Sequence, residues 1–200
     1  MTAVAHDERE PPEVIARNLR VASHLWSSAT AFFFIAFLFA YFYLRALDQN
    51  HLWHPHKVKA PVTTGTLIAV AVAASGVAAV LAARRLHAGD EGGWRTLGLG
   101  AMVLGLVAVV IQIVEWSSLG FGPTDGGYAS VFVGWTGMYL LFLVASLYWL
   151  ETLLATSFRH RGRGAAGSAT QVVPGADAFA FYWAVLAGIG VVTWFILYVL

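Results

Sequence analysis

The sequence predicts an all-α, polytopic membrane protein built as a bundle of five transmembrane helices. Three observations carry that prediction. Charged residues make up 12% of the chain and hydrophobic residues 58%, whereas a soluble domain carries about 25% charged residues. The mean hydropathy is +0.69. The apolar residues also gather into five long runs, and about 20 consecutive apolar residues cross a bilayer as a helix. Those runs lie at about 21–44, 62–83, 94–116, 128–154 and 178–200. Residues 1–20 are polar and mixed in charge, without the apolar core of a signal peptide. They read as a short cytoplasmic arm, interrupted at Pro11-Pro12, ahead of a membrane domain at 21–200.

Lys and Arg give the orientation, because cytoplasmic loops are enriched in both. Arg9, Arg17, Arg20, Arg84, Arg85, Arg95, Arg159, Arg161 and Arg163 share one side. Only Arg45, Lys57 and Lys59 fall on the other. The N-terminus is therefore expected in the cytoplasm and the C-terminus outside, as for a multi-pass protein of a cell inner (plasma) membrane.

The first span is crowded with Phe32, Phe33, Phe34, Phe37, Phe39, Tyr41, Phe42 and Tyr43, a surface for lipid or a partner helix. His24 near its start reads as an interfacial hydrogen-bonding group. The loop after it holds His51, His54 and His56 around Trp53 and Pro55. Three imidazoles so close invite a metal. The competing reading is a solvated loop anchored by Trp53, and it is favoured because Pro55 disturbs any regular ligand geometry. The second span repeats small residues at Ala71, Ser75 and Ala79, a spacing that lets helix backbones approach closely. This span is expected to be the best packed.

The third span ends in Gln112 and Glu115, one helical turn apart on one face. Glu115 lies about 31 Å along the helix from Trp94 at 1.5 Å per residue, so toward the outer edge of the hydrocarbon. An ionisable group at membrane depth is a functional candidate. The plainer reading, a carboxyl hydrogen-bonded between helices, is preferred because no second acid lies near this face. Glu151 falls near the cytoplasmic interface and reads as a surface group. The segment from His160 to Asp177 is basic and then Gly/Ala/Ser-rich, the composition of a flexible connector. Asp177 is expected to cap the last helix.

The chemistry inventory is short. The absence of Cys removes disulfides and thiolate sites. No pair of mid-span His suits a heme, and phosphate-loop and hydrolase motifs are missing. No basic stripe points to nucleic acid. No catalytic or cofactor-binding residue is expected, which leaves a polytopic accessory subunit or a small transporter.

Several runs resemble the heme-copper oxidase subunit III family in a divergent, short five-helix form. Gln112-Ile-Val-Glu115-Trp116 is similar to that family's Gln-x-x-Glu-aromatic helix end. Asp125-Gly126-Gly127-Tyr128-Ala129-Ser130-Val131-Phe132 resembles its D-G-x-Y-G-S-x-F run, and Thr136-Gly137 matches the T-G that follows. Trp26-Ser27-Ser28 with Phe32-Phe33 resembles W-x-S-E-x-x-F-F. Trp53-His54-Pro55 is similar to a Trp-Pro-Pro loop, and Phe181-Tyr182-Trp183 to the aromatic start of the final helix. The polar pattern departs at Ala29, Tyr139, Phe142, Ala184 and Ala187, where the family carries Glu, His or Asp.

The resemblance implies a cofactor-free, non-catalytic subunit of a cytochrome c oxidase-type aerobic respiratory complex. Heme and copper would sit in the partner, catalytic subunit I, with subunit II also present. It implies membrane phospholipids in a cleft between the first two helices and the last three, and support for proton-coupled electron transport. An accessory subunit of a nitric oxide reductase is the alternative. For Glu115 it suggests Thr136, Tyr139 or Tyr182 as partners.

Overall fold

A computed structural model describes residues 11–48, 53, 58–159 and 165–200, with side chains from residue 172 onward in the last segment. Five α-helices follow one another: α1 (Pro12–Ala46), α2 (Val62–His87), α3 (Glu91–Ser118), α4 (Gly127–Arg159) and α5 (Ala165–Trp194). A π-helical turn, Phe195–Val199, continues α5. No strand occurs among the described residues. All five helices are long and apolar enough to cross a membrane, and the chain is a multi-pass membrane protein.

The helices outrun the expected apolar runs. Proline costs nothing at the first helical position, where the missing N–H would be unpaired anyway. The Pro11-Pro12 pair therefore starts α1 rather than interrupting it. The Gly/Ala/Ser-rich stretch expected as a connector is helical from Ala165, with Pro174 inside α5. Asp177 thus caps nothing. It lies within α5 and pairs with His87 of α2 at 2.7 Å. Glu151 is exposed, and His24 stacks on Phe181 at 4.2 Å between ring centres.

Packing follows residue size. On α2 the faces of Ala71, Ser75, Gly76 and Ala79 are buried, and α2 lies chiefly against α3 and α5. A Cβ on Gly76 would come within 2.9 Å of Ala187 Cβ, so these two helices nearly touch. In the middle of the bundle, Ser75 Oγ donates to the Ala101 carbonyl at 2.6 Å and accepts from Trp183 Nε1 at 3.0 Å. One hydroxyl so ties α2, α3 and α5. Gly89, at φ +78°, makes the tight α2–α3 turn, and Asp90 caps α3 by accepting from Gly93 N at 2.7 Å. Arg95 reaches across to α4, donating to the Ser157 carbonyl at 2.9 Å while paired with Glu91.

α1 leans on α5 and α4 rather than on α2, so the two-helix group expected from the resemblance is not a packing unit. Its buried stripe is Ser23, Ser27, Thr30, Phe34 and Tyr41. Phe32 and Phe39 on the opposite side are 72% and 68% exposed, as a lipid-facing helix requires. The positions where the resemblance pointed to histidine, Tyr139 and Phe142, join an aromatic cluster with Phe33, Phe34 and Trp135 that fastens α1 to α4. An apolar groove opens between α2 and α5, along Val77, Val80, Ala184 and Ala187, with Arg84 at one end.

Candidate functional site

Glu115 sits one turn before the end of α3, and its side chain is fully buried. It is the one Asp, Glu, Lys, Arg or His buried among the described residues. A buried charge or polar group without partners is costly, and the fold supplies three donors. Gln112 Nε2, one turn back on α3, donates to Oε2 at 2.5 Å. The Tyr198 hydroxyl donates to the same oxygen at 2.9 Å. The Thr64 hydroxyl donates to Oε1 at 3.0 Å. α3, the first turn of α2 and the π-helical turn after α5 therefore converge on one carboxyl. No Lys or Arg pairs with it among the described residues.

These partners correct the sequence expectation. Thr136 instead accepts from Trp116 Nε1 at 3.1 Å and donates to the Phe132 carbonyl at 2.7 Å. Tyr139 donates to the Leu186 carbonyl at 3.0 Å. Tyr182 is buried beside Trp149. Sequence reasoning missed Thr64 and Tyr198. Their signal was depth: both lie near helix ends on the side of the bundle where α3 ends. Gly65 completes the arrangement, because a Cβ there would overlap the Tyr198 ring.

The α3–α4 loop closes the same end. Asp125 accepts from Gly122 N at 2.6 Å and its own N–H returns to the Gly122 carbonyl at 3.1 Å. Gly126 has φ +141°, a backbone that favours glycine. Ser130 Oγ donates to the Gly126 and Pro123 carbonyls. Tyr128 N donates to the Trp53 carbonyl at 2.9 Å, and the Tyr128 hydroxyl to the Leu197 carbonyl. Gly137 leaves room for Trp116. The motif residues thus divide. Gln112, Glu115, Asp125, Gly126, Tyr128, Ser130, Thr136 and Gly137 build the loop end. Trp183 works in the middle of the bundle, and Tyr182 stands apart from both.

Trp53 is buried against Tyr41 and Tyr128, so its ring packs on the ends of α1 and α4. His51, His54 and His56 lie outside the described residues. Among the described residues no three His, Asp or Glu side chains gather as metal ligands. The loop-end cluster is a hydrogen-bonded lock between helices, with one carboxyl able to carry charge.

The comparisons with known proteins agree with this architecture. The family model described as cytochrome c oxidase subunit III matches residues 9–200. Cytochrome c oxidase subunit 3 of Didelphis virginiana is 28% identical over 153 residues, 74% of this chain and 54% of that protein. Those of Rattus norvegicus and Mus musculus are each 26% identical over 198 residues, 93% of this chain and 69% of theirs. The chain thus matches between 54% and 69% of the length of these relatives. A family match over nearly the whole chain, on a bundle of membrane-length helices, places the chain in the cytochrome c oxidase subunit III family, to which it belongs.

Proposed function

We propose that the chain is the non-catalytic subunit III of an aerobic respiratory terminal oxidase of the cytochrome c oxidase type. It packs beside a catalytic subunit I that carries heme and copper, with subunit II in the same complex. It stabilises that catalytic subunit and supports proton-coupled electron transport. The N-terminus lies in the cytoplasm and the C-terminus outside a cell inner (plasma) membrane. The observation that carries the reading is the family match across residues 9–200. The interior supports it. It is filled by aromatic and small apolar side chains with few polar groups, the inventory of a packing element rather than a catalyst. The groove between α2 and α5, with a volume of about 400 Å³ and Arg84 at its end, suits a phospholipid acyl chain beside a cation.

A second reading keeps the family and changes the complex to a nitric oxide reductase. Ala29, Ala184 and Ala187, where the family carries ionisable side chains, favour it, since such an enzyme need not pump protons. Consumption of oxygen and of nitric oxide by native membranes, with and without this chain, tests both. Loss of stable oxygen uptake supports the oxidase. Loss confined to nitric oxide consumption supports the reductase. No change in either sinks both.

A further inference from the structure

Beyond packing, the Glu115 cluster has two features that a purely structural carboxyl does not need. The first is a hydroxyl with two destinations. Thr64 Oγ1 lies 2.8 Å from the Pro61 carbonyl and 3.0 Å from Glu115 Oε1. Its proton points to Glu115 when the carboxyl is ionised. When the carboxyl is protonated, that proton turns to Pro61, and the same oxygen accepts from Glu115. A hydroxyl is donor and acceptor at once, so the site holds either form without moving a helix.

The second feature is that its partners Gln112 and Tyr198 border open space. A cavity of about 20 Å³ is bordered by Gln112, Thr136, Tyr139, Thr193 and Tyr198, and one water needs about 10–15 Å³. A wider opening of about 450 Å³ at the loop end is bordered by Tyr41, Arg45, Lys59, Tyr128 and Tyr198. Tyr198 borders both, and its hydroxyl is bonded to Glu115. It stands on the π-helical turn, and π turns recur at functional sites.

We propose that Glu115 is a proton-exchange site, with Thr64 and Gln112 as its partners and Tyr198 as the side chain that separates it from the loop-end opening. On release, the carboxyl O–H bond breaks and the proton passes to water. The electron pair stays on the carboxylate, which keeps its three donors. Uptake is the reverse. The titratable side chains facing the site are Tyr198 of the terminal turn, bonded to Glu115, and Tyr128 of α4, which borders the same opening as Tyr198. Arg45 of α1 and Lys59 stand at the mouth of the opening. α2 contributes Thr64.

The test is infrared spectroscopy on the complex purified from native membranes, in water and in D2O, over a pH series. Wild type is expected to show a protonated-carboxyl band that shifts in D2O, changes intensity with pH and is missing from E115Q. In Y198F the ring stays but the hydroxyl is lost, so the band should shift and exchange faster. It also serves if E115Q fails to assemble. A Glu115 band that does not exchange in D2O would overturn the proposal, as would no pH-dependent carboxyl band sensitive to either variant. The series is repeated with choline in place of sodium. A band that sodium abolishes at fixed pH would also overturn it, marking an alkali-cation site.

Discussion

Replacing Glu115 by Ala and by Gln should separate two explanations of the loop-end lock. In E115A the Gln112 amide and the Tyr198 hydroxyl lose their acceptor, while Thr64 keeps its bond to the Pro61 carbonyl. Two orphaned donors at about 1–3 kcal/mol each give an upper figure of about 6 kcal/mol. Hydrogen bonds between membrane helices average about 0.6 kcal/mol, which pulls the expectation down. We expect E115A to cost roughly 2–4 kcal/mol.

E115Q has nearly the same shape. Its oxygen accepts from Gln112 and Tyr198. Its amide nitrogen faces Thr64, whose proton turns to Pro61. Every group keeps a partner, so the expected loss is below about 1 kcal/mol. The assay is reversible unfolding of the purified chain in mixed detergent micelles, followed by Trp fluorescence. Equal losses above about 2 kcal/mol in both variants would refute the reasoning, because the negative charge itself would then be required. So would a loss in E115A as small as that in E115Q, because the Gln112 and Tyr198 donors would then not depend on the carboxyl.

Other outcomes follow from the same contacts. Gly65→Ala pushes a methyl into the Tyr198 ring and should cost about 1–3 kcal/mol by overpacking. In the Y198L background, where that ring is gone, the same Gly65→Ala change should cost much less in the same assay. Ser75→Ala leaves Trp183 Nε1 without an acceptor in the middle of the bundle, a loss of about 1–3 kcal/mol with a shifted Trp emission. His87→Ala removes an exposed pair with Asp177 and should change stability by less than about 1 kcal/mol. The chain has no Cys, so single substitutions report sidedness directly. Thr124→Cys and Ala88→Cys lie at exposed positions on opposite ends. A membrane-impermeant thiol reagent added outside intact cells should label the first and spare the second.

The five helices were legible because length and hydropathy suffice to find a membrane helix. Their ends were not. The early proline pair looked like a break, yet it is a start, and the small-residue stretch before Asp177 looked like a linker, yet it is helical from Ala165. Small residues are ambiguous in this way: they suit a flexible loop and a tightly packed helix equally. The importance of Ser75 was readable from its spacing with Ala71 and Ala79, because close approach needs small side chains whatever the partner.

The partners of Glu115 were misread because one helix's pattern does not say which helix stands opposite. Depth held part of the answer. Tyr139 lies about 18 Å down α4 from Gly127 at 1.5 Å per residue, and Tyr182 is about as far from the chain's last turn, whereas Glu115 is at a helix end. Thr64 and Tyr198 are polar side chains at its depth. The pairing of α1 with α2 was taken from the resemblance rather than from residues. The aromatic faces of α1 and α4, through Phe34, Trp135 and Phe142, decide its neighbours instead.

The most direct test of the oxidase assignment is a pull-down of this chain from native membranes in mild detergent, with a subunit gel and an optical spectrum. The account predicts a large heme-bearing partner at constant ratio, with the spectrum of a heme-copper oxidase. A colourless chain that purifies alone at full yield would contradict it.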